Sequence, residues 1–223
     1  HLLGPRQGNG GGGRKEEAPL LSLRTLQAEG QGWSFWGCWR PRRGEEAGGD
    51  FCWVRAAEGG VLAVVADVLG HGEEAHASAR EMQETLERQK GSSPEAYFGA
   101  AESVAARRRG CALFVGFFAP LVLRYIMVGN MRGWLVKNPC KVDLLFPQPG
   151  VVGGRKVTPA VREVNLAGAE GVIVCSDGIR RGFVPALHHG LPERWGMGLA
   201  LHILEKFGLP EDDASVLVGK RWR

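Results

Sequence analysis

The stretch that most limits what this chain can become is Val61–Ala79, VLAVVADVLGHGEEAHASA. It opens on an apolar run, Val61 to Ala66, whose length and β-branched content predict a buried strand. The run reaches one carboxylate, Asp67, turns through Gly70 and Gly72, and passes into a helical pattern from about Glu73. A carboxylate at the end of a buried strand is costly to leave charged and unpaired. A cation, a set of backbone N–H donors or a structural turn can each keep it there. A lone Asp of this kind reads as a turn, so what matters is whether the setting recurs.

It recurs three times. DFCWVRAA (Asp50–Ala57) reads as a strand that begins on Asp50, and Glu58, Gly59 and Gly60 form a tight hairpin turn into the Val61 strand. In an antiparallel pair with so short a turn, the start of one strand lies beside the end of the next, so Asp50 and Asp67 should meet at one sheet edge. Farther on, the apolar strand Val172–Cys175 ends in Ser-Asp-Gly, with Asp177 where the chain leaves the core. Asp212 and Asp213 stand immediately before a last strand, Ser215–Val218. Clustered carboxylates repel one another, and a multivalent cation makes such company favourable. All-oxygen ligation selects Mg²⁺ or Mn²⁺ over zinc or copper, and two such ions roughly 3.5–4 Å apart activate water for phosphoryl chemistry. The residues alone therefore point to a metal-dependent hydrolase, provided the fold brings them together.

The rest of the chain sets the fold class. Trp33–Arg40 alternates bulky and small residues as a strand does, and Arg40–Gly49 is a loop. Glu73–Lys90 and a segment from Pro94 to about Arg109 have helical composition, separated by Gly91, Ser92 and Ser93. Cys111–Pro120, Leu121–Asn130 and a run from Gly133 form an antiparallel meander, with a short strand at Val142–Phe146, a Pro/Gly-rich loop to Pro159, and another run at Val161–Leu166. A helix from about Glu193 to Phe207 precedes the last strand. Helices come in blocks between runs of strands, which predicts an α+β sandwich of mostly antiparallel sheets. The 223 residues fit one large domain, 19–223, behind a Gly-rich polar tail, 1–18, expected to be mobile.

Composition removes several classes. No apolar run approaches the ~18 residues of a membrane span, and no secretory h-region is visible. Five cysteines without a CxxC argue against a zinc knuckle, and Cys111 and Cys175, inside strand-like runs, read as buried thiols of a reduced, cytoplasmic protein. The net charge of +4 is mild, and apart from Trp222 no aromatic interleaves the basic clusters at Arg40, Arg42 and Arg43, at Arg107–Arg109, at Arg180 and Arg181, and at Lys220, Arg221 and Arg223. Those clusters read as solvated surface and not as a nucleic-acid interface.

Taken in order, GGD (48–50), VVADVLGHGEEAHASA (64–79), VIVCSDGI (172–179) and DDASVLV (212–218) resemble the motifs of the PPM family, the metal-dependent Ser/Thr protein phosphatases. The resemblance spans Trp33–Gly219 and is closest to the bacterial sporulation and stress-response branch, whose members act on phosphorylated anti-sigma antagonists. The short chain looks like the stand-alone feedback phosphatase of the stressosome, acting on phosphorylated STAS-domain proteins. It implies a four-layer αββα sandwich and two Mn²⁺ or Mg²⁺ ions. Asp67 would bridge the metals and the Val68 backbone carbonyl would be a further ligand, with Asp50 acting on one ion, directly or through water, and Asp177 and Asp212 holding the other. Asp213 would orient its loop. A metal-bridging hydroxide would then attack the phosphoserine or phosphothreonine phosphorus directly. The alternatives are a catalytically silent PPM-like module that binds the same partners, and an acid-lined sandwich without a ligand.

The departures from the pattern are specific. Leu69 stands where eukaryotic members carry a His general acid, which leaves His71 as a secondary candidate or a helix-start residue. No residue matches the upstream phosphate-binding Arg, for which Arg42 and Arg43 are loose candidates. His76, His188 and His189 read as structural or surface residues, and Glu73 and Glu74 as complements of a helix N-terminus.

Overall fold

The computed structural model describes residues 22–137, 141–188 and 194–222. The Gly-rich segment expected to be a tail, together with Cys140, His189 and Glu193, lies outside the described residues. Among the described residues, eleven strands and three α-helices follow one another as β1 (Arg24–Gly30), β2 (Trp33–Arg40), β3 (Asp50–Ala57), β4 (Gly60–Val68), α1 (Gly72–Arg88), α2 (Pro94–Arg107), β5 (Cys111–Phe118), β6 (Val122–Val128), β7 (Arg132–Lys137), β8 (Lys141–Leu145), β9 (Arg162–Asn165), β10 (Ala169–Cys175), α3 (Met197–Phe207) and β11 (Ala214–Arg221), with a 3-10 turn at Pro185–Leu187.

Strand parity explains the layers. Along β4, Val61, Ala63 and Val65 enter one apolar cluster, while Leu62, Val64, Ala66 and Val68 enter another. Side chains alternate along a strand, so a run apolar at every position has both faces covered. One face meets α1 and α2, whose Ala75, Ala79, Met82, Leu86, Tyr97, Phe98, Ala101 and Val104 complete that cluster. The other face meets a second sheet. Five strands form the first sheet in the order β3-β4-β5-β6-β9, and six form the second in the order β1-β2-β11-β10-β7-β8, every named strand pair being antiparallel. Phe35, Phe114, Phe118, Val172, Val174 and Leu217 fill the space between the sheets. On the far side, Leu199, Ala200, Ile203 and Leu204 of α3 cover Ile173, Cys175, Val216 and Val218. The result is the expected α+β sandwich of four layers, helix, sheet, sheet, helix.

Several boundaries move. Strand β4 continues past Ala66 through Asp67 and Val68, because both are still paired with Ala112 and Cys111 of β5. Helix α3 begins at Met197, not near Glu193. The 147–159 segment is pinned at Gln148, bridged to Val128, and at Val152, bridged to Cys111. Helix α2 starts where Ser93 accepts the Ala96 N–H at 3.3 Å and Pro94 occupies the first turn. Cys38, Cys52, Cys111 and Cys175 are buried and in no disulfide, and burial pushes the Cys38, Cys111 and Cys175 thiols up to about 12. No described helix is long and apolar enough to cross a membrane.

Candidate metal centre

The β3–β4 hairpin brings the first two carboxylates together. With Ala57 opposite Gly60 at the turn, the register runs back to place Asp50 directly opposite Asp67. Asp67 is in step with Val65 and Asp50 with Cys52, so both face the space between the sheets. There Asp50, only 3% exposed, accepts a hydrogen bond from Ser215 Oγ of the opposite sheet at 2.8 Å. Its other oxygen, Oδ1, is buried with no donor. A buried carboxylate oxygen without a partner is costly and calls for an ion or a proton.

The other two arrive from the second sheet. Asp177 lies just beyond β10 and Asp212 just before β11, two antiparallel neighbours. The Asp67 carboxyl lies beside both Asp50 and Asp177, and Asp177 in turn faces Asp212. Asp50, Asp67, Asp177 and Asp212 thus form a row across one end of the inter-sheet space. Among the described residues no three His, Cys, Asp or Glu side chains already surround a common point as metal ligands. Without a cation such a row relieves its repulsion by keeping protons. Burial, foremost, holds the Asp50 and Asp67 carboxyls well above the ordinary carboxylate range, and at Asp67 the Asp50 charge and the Asp177 contact add to it. Asp212 is raised by burial and by Asp177.

Asp213 plays a different part from its neighbour. Its two oxygens accept the backbone N–H groups of Arg42 and Gly49, each at 2.8 Å, so it ties the β2–β3 loop to the start of β11. Two glycines of the motifs are required by close approach. A Cβ at Gly178 would collide with the Asp213 carbonyl, and one at Gly49 would sit 2.8 Å from the Val68 carbonyl oxygen. The second lets the Gly49 backbone pack against Val68 and Ala75 on the helix side of the sheet.

The remaining sequence candidates sit at the margin. His71 is the N-cap residue of α1, makes no side-chain cap bond, and has Nδ1 2.7 Å from Glu45 Oε1. The same oxygen takes the Arg42 guanidinium, with Nη2 at 2.7 Å and Nε at 2.8 Å. Arg43 is exposed, its backbone N–H on the Pro210 carbonyl. Leu69 is 48% exposed beside the row. His76 Nδ1 lies 3.3 Å from the Gly48 carbonyl, and His188 stacks on Phe183. Glu73 and Glu74 occupy the first turn of α1, where Glu74 also pairs with Arg109.

Sequence reasoning missed the groups that hold the second half of the row. Arg40, expected as solvated loop surface, is half-buried at the end of β2. It donates to the carbonyls of Asp212 and Leu209, each at 2.9 Å, and burial lowers its pKa despite the nearby Asp213, Asp50 and Asp212 charges. Arg132 at the start of β7 donates to the carbonyls of Ile179, Arg180 and Phe183. Asn130, in the β6–β7 turn, donates its amide to Asp177 Oδ2. Arg132 and Asn130 carry no sequence signal, since both contacts span more than forty residues.

Comparison with solved structures identifies the architecture. A structure described as the bacterial stressosome, a modular system adapted to control secondary messenger signalling, superposes with a TM-score of 0.73 at 24% identity, covering 86% of this chain and 100% of that one. RsbX in complex with magnesium gives 0.74 at 17% identity, covering 89% and 100%. The Mycobacterium tuberculosis serine/threonine phosphatase PstP gives 0.66 at 16% identity, covering 91% and 100%. The chain has the PPM phosphatase fold. No protein-family model and no curated protein matches the sequence. On the PPM fold, the donor set found here suits a hard divalent cation, being oxygen only, with one orphaned buried oxygen at Asp50.

Proposed function

We propose that this chain is a Mn²⁺- or Mg²⁺-dependent phosphatase acting on phosphoserine and phosphothreonine of regulatory proteins. The observation that carries the reading is the row of four carboxylates from two sheets, held at one end of a PPM-type sandwich with a buried oxygen unpaired. Asp67, at the centre of the row, would be shared between two ions, with Asp50 and the Val68 carbonyl on one side and Asp177 and Asp212 on the other. When bound, such ions supply charge neutralisation at a phosphoryl group and an activated water. The protein's own residues set the stage for that chemistry. Ser215 fixes the Asp50 carboxylate, Asn130 fixes that of Asp177, and Asp213 holds the loop that leads into β3 and Asp50. Leu69 offers no proton to a leaving oxygen, and the Glu45 carboxylate engages both His71 and Arg42. The likeness to RsbX and to a stressosome component supports phosphorylated STAS-domain proteins as the substrates and regulation of a stress response as the setting.

The test is phosphate release from para-nitrophenyl phosphate and from a phosphoserine peptide, with Mn²⁺, with Mg²⁺ and with EDTA. Turnover should need the metal and should be lost in Asp67→Asn. Turnover that persists in EDTA would overturn the reading, and binding of phosphoprotein without any turnover would return the silent module.

A further inference from the structure

Between β8 and β9 the chain runs from Leu144 to Gly154, LLFPQPGVVGG, without a charged residue. Such a stretch ordinarily fills a core, yet Phe146 is 58% exposed and Val151 38% exposed, and Pro147 and Pro149 between them are exposed too. The exposure is not that of a loose loop, because the backbone is pinned along its length. Phe146 donates its N–H to the Tyr125 hydroxyl at 2.9 Å. Gln148 donates to the Met127 carbonyl at 2.7 Å and accepts from Gly129 at 2.9 Å, while its side chain joins the Thr158 carbonyl and the Ala160 N–H. Val152 and Cys111 exchange both backbone bonds, at 3.0 and 3.1 Å. The segment is a strap that holds apolar side chains out in water, and contiguous apolar surface of this kind marks a place where a partner is received.

The strap lies along the carboxylate row. Cys111 pairs with Val68 on one side and with Val152 on the other, so two strand spacings, ~10 Å, separate Val152 from the residue after Asp67. At that border Val151 and Leu69, itself 48% exposed, both lean on Gly110, where an added Cβ would come 2.6 Å from the Val151 side chain and 3.4 Å from that of Leu69. Farther along, the Gly150 carbonyl lies against Gly129, whose neighbour Asn130 donates to Asp177. The strap thus reaches from the Asp67 side of the row to the Asp177 side. Leu144, two residues before Phe146, and Leu187, on the 3-10 turn packed against β8, continue the apolar surface outward. Leu121 and Trp222, also exposed, lie beyond the opposite ends of the strands. Charged side chains stand only at the margins, with Arg109 before Gly110 and Arg155 and Lys156 after Gly154. What this border offers a partner is apolar area.

We propose that Leu69, Val151 and Phe146 form an apolar shelf that receives aliphatic or aromatic side chains next to the phosphorylated residue of a substrate protein. The inference rests on the phosphatase reading of the row and adds to it a substrate class, phosphoserine or phosphothreonine in an apolar surround. Continuity with the row selects this occupant. The shelf begins two residues after Asp67 and ends beside the residue that holds Asp177, so a chain with its phosphate over the row lays its neighbouring side chains on the shelf.

Two phosphoserine peptides of equal length and charge test it, one with Leu on both sides of the phosphoserine and one with Asn in those places. Phosphate release with Mn²⁺ gives kcat and KM, and fluorescence anisotropy gives Kd whether or not turnover occurs. The Leu peptide should have KM and Kd about 10-fold below those of the Asn peptide. High salt should leave that preference in place, since no ion pair carries it. In Phe146→Asn/Val151→Asn the preference should vanish, while the Asn peptide and para-nitrophenyl phosphate turn over within about two-fold of wild type. Leu69 stays unchanged in this variant because it follows Val68. Equal affinity for the two peptides, or a double variant that weakens both alike, would overturn the shelf. So would light scattering that shows a wild-type dimer and a monomeric double variant, since the shelf would then join two copies of this chain. Absence of all metal-dependent turnover would sink the phosphatase reading, and anisotropy would still decide whether the shelf selects the Leu peptide.

Discussion

The two halves of the carboxylate row are built in opposite ways. Asp50 and Asp67 are strand residues, fixed by the ladder of one hairpin and by the pleat that turns both toward the opposite sheet. Asp177 and Asp212 are loop residues, outside the ladders of β10 and β11. Their positions depend on Arg132 and Arg40, whose guanidinium groups hold the loops by their backbone carbonyls, and on Asn130, which touches Asp177 itself. A register can place a carboxylate with no help from its neighbours. A loop needs an outside clamp. One half of the site should therefore be sensitive to changes in the carboxylates alone, and the other half to changes in residues that touch no substrate.

The largest expected effect sharpens that contrast at its joint. Asp67 belongs to the strand half yet contacts both halves, so Asp67→Asn should lower metal-dependent phosphate release by about 10³-fold or more. Titration calorimetry should show the loss of metal binding directly. The same carboxyl also predicts a pH effect on stability. Asp50 and Asp67 bind their protons more tightly in the folded protein than in the unfolded chain. Between the ordinary Asp pKa near ~4 and the raised folded value, the native state holds the extra protons, so stability falls as pH rises through that window. In EDTA the wild type should melt at a lower temperature at pH 8 than at pH 5. Asp67→Asn should reduce that difference, and saturating Mn²⁺ should offset it in the wild type. A wild-type melting temperature that rises from pH 5 to pH 8 in EDTA, with no change in that trend on Asp67→Asn, would contradict the buried protonated row.

Smaller effects should come from the clamps. Arg132→Ala frees the carbonyls of Ile179, Arg180 and Phe183, and should cost about 2–3 kcal/mol in denaturant unfolding while weakening metal binding. Arg132→Lys should recover only part of this, because one ammonium cannot reproduce the planar fork. Asp213→Asn puts an amide N–H against one of two backbone N–H groups and should cost about 1–3 kcal/mol. Asn130→Ala should be the mildest, about 0.5–1.5 kcal/mol, seen chiefly as weaker metal binding on the Asp177 side. If Asn130→Ala and Arg132→Ala left metal affinity unchanged, the loop half would be as self-sufficient as the strand half.

The same division governs what could be read from sequence. The hairpin was legible because Glu58, Gly59 and Gly60 fix a turn, the turn fixes a register, and the register sets Asp50 against Asp67. The apolar runs of β4, β5 and β10 were legible because a strand covered on both faces needs no alternation. Arg40 was misread as surface because nothing near it in the chain shows that the carbonyls of Leu209 and Asp212 will arrive. Asn130 looked like any turn residue for the same reason. The extension of β4 through Asp67 was hidden because the partner that prolongs it, β5, is chosen by the fold. His71 and Arg42 could be placed near the site, but not their shared attachment to Glu45.

Strand β11 lies between β2 and β10, at the middle of its sheet and not at its margin. Removing it would therefore cut the six-stranded sheet into β1–β2 on one side and β10–β7–β8 on the other, instead of trimming a border. Because Asp212 stands immediately before β11, a nascent chain holds Asp50 and Asp67 in an early local hairpin and completes the row only when this central keystone slides in between β2 and β10. Partly synthesised protein is thus built without a competent centre.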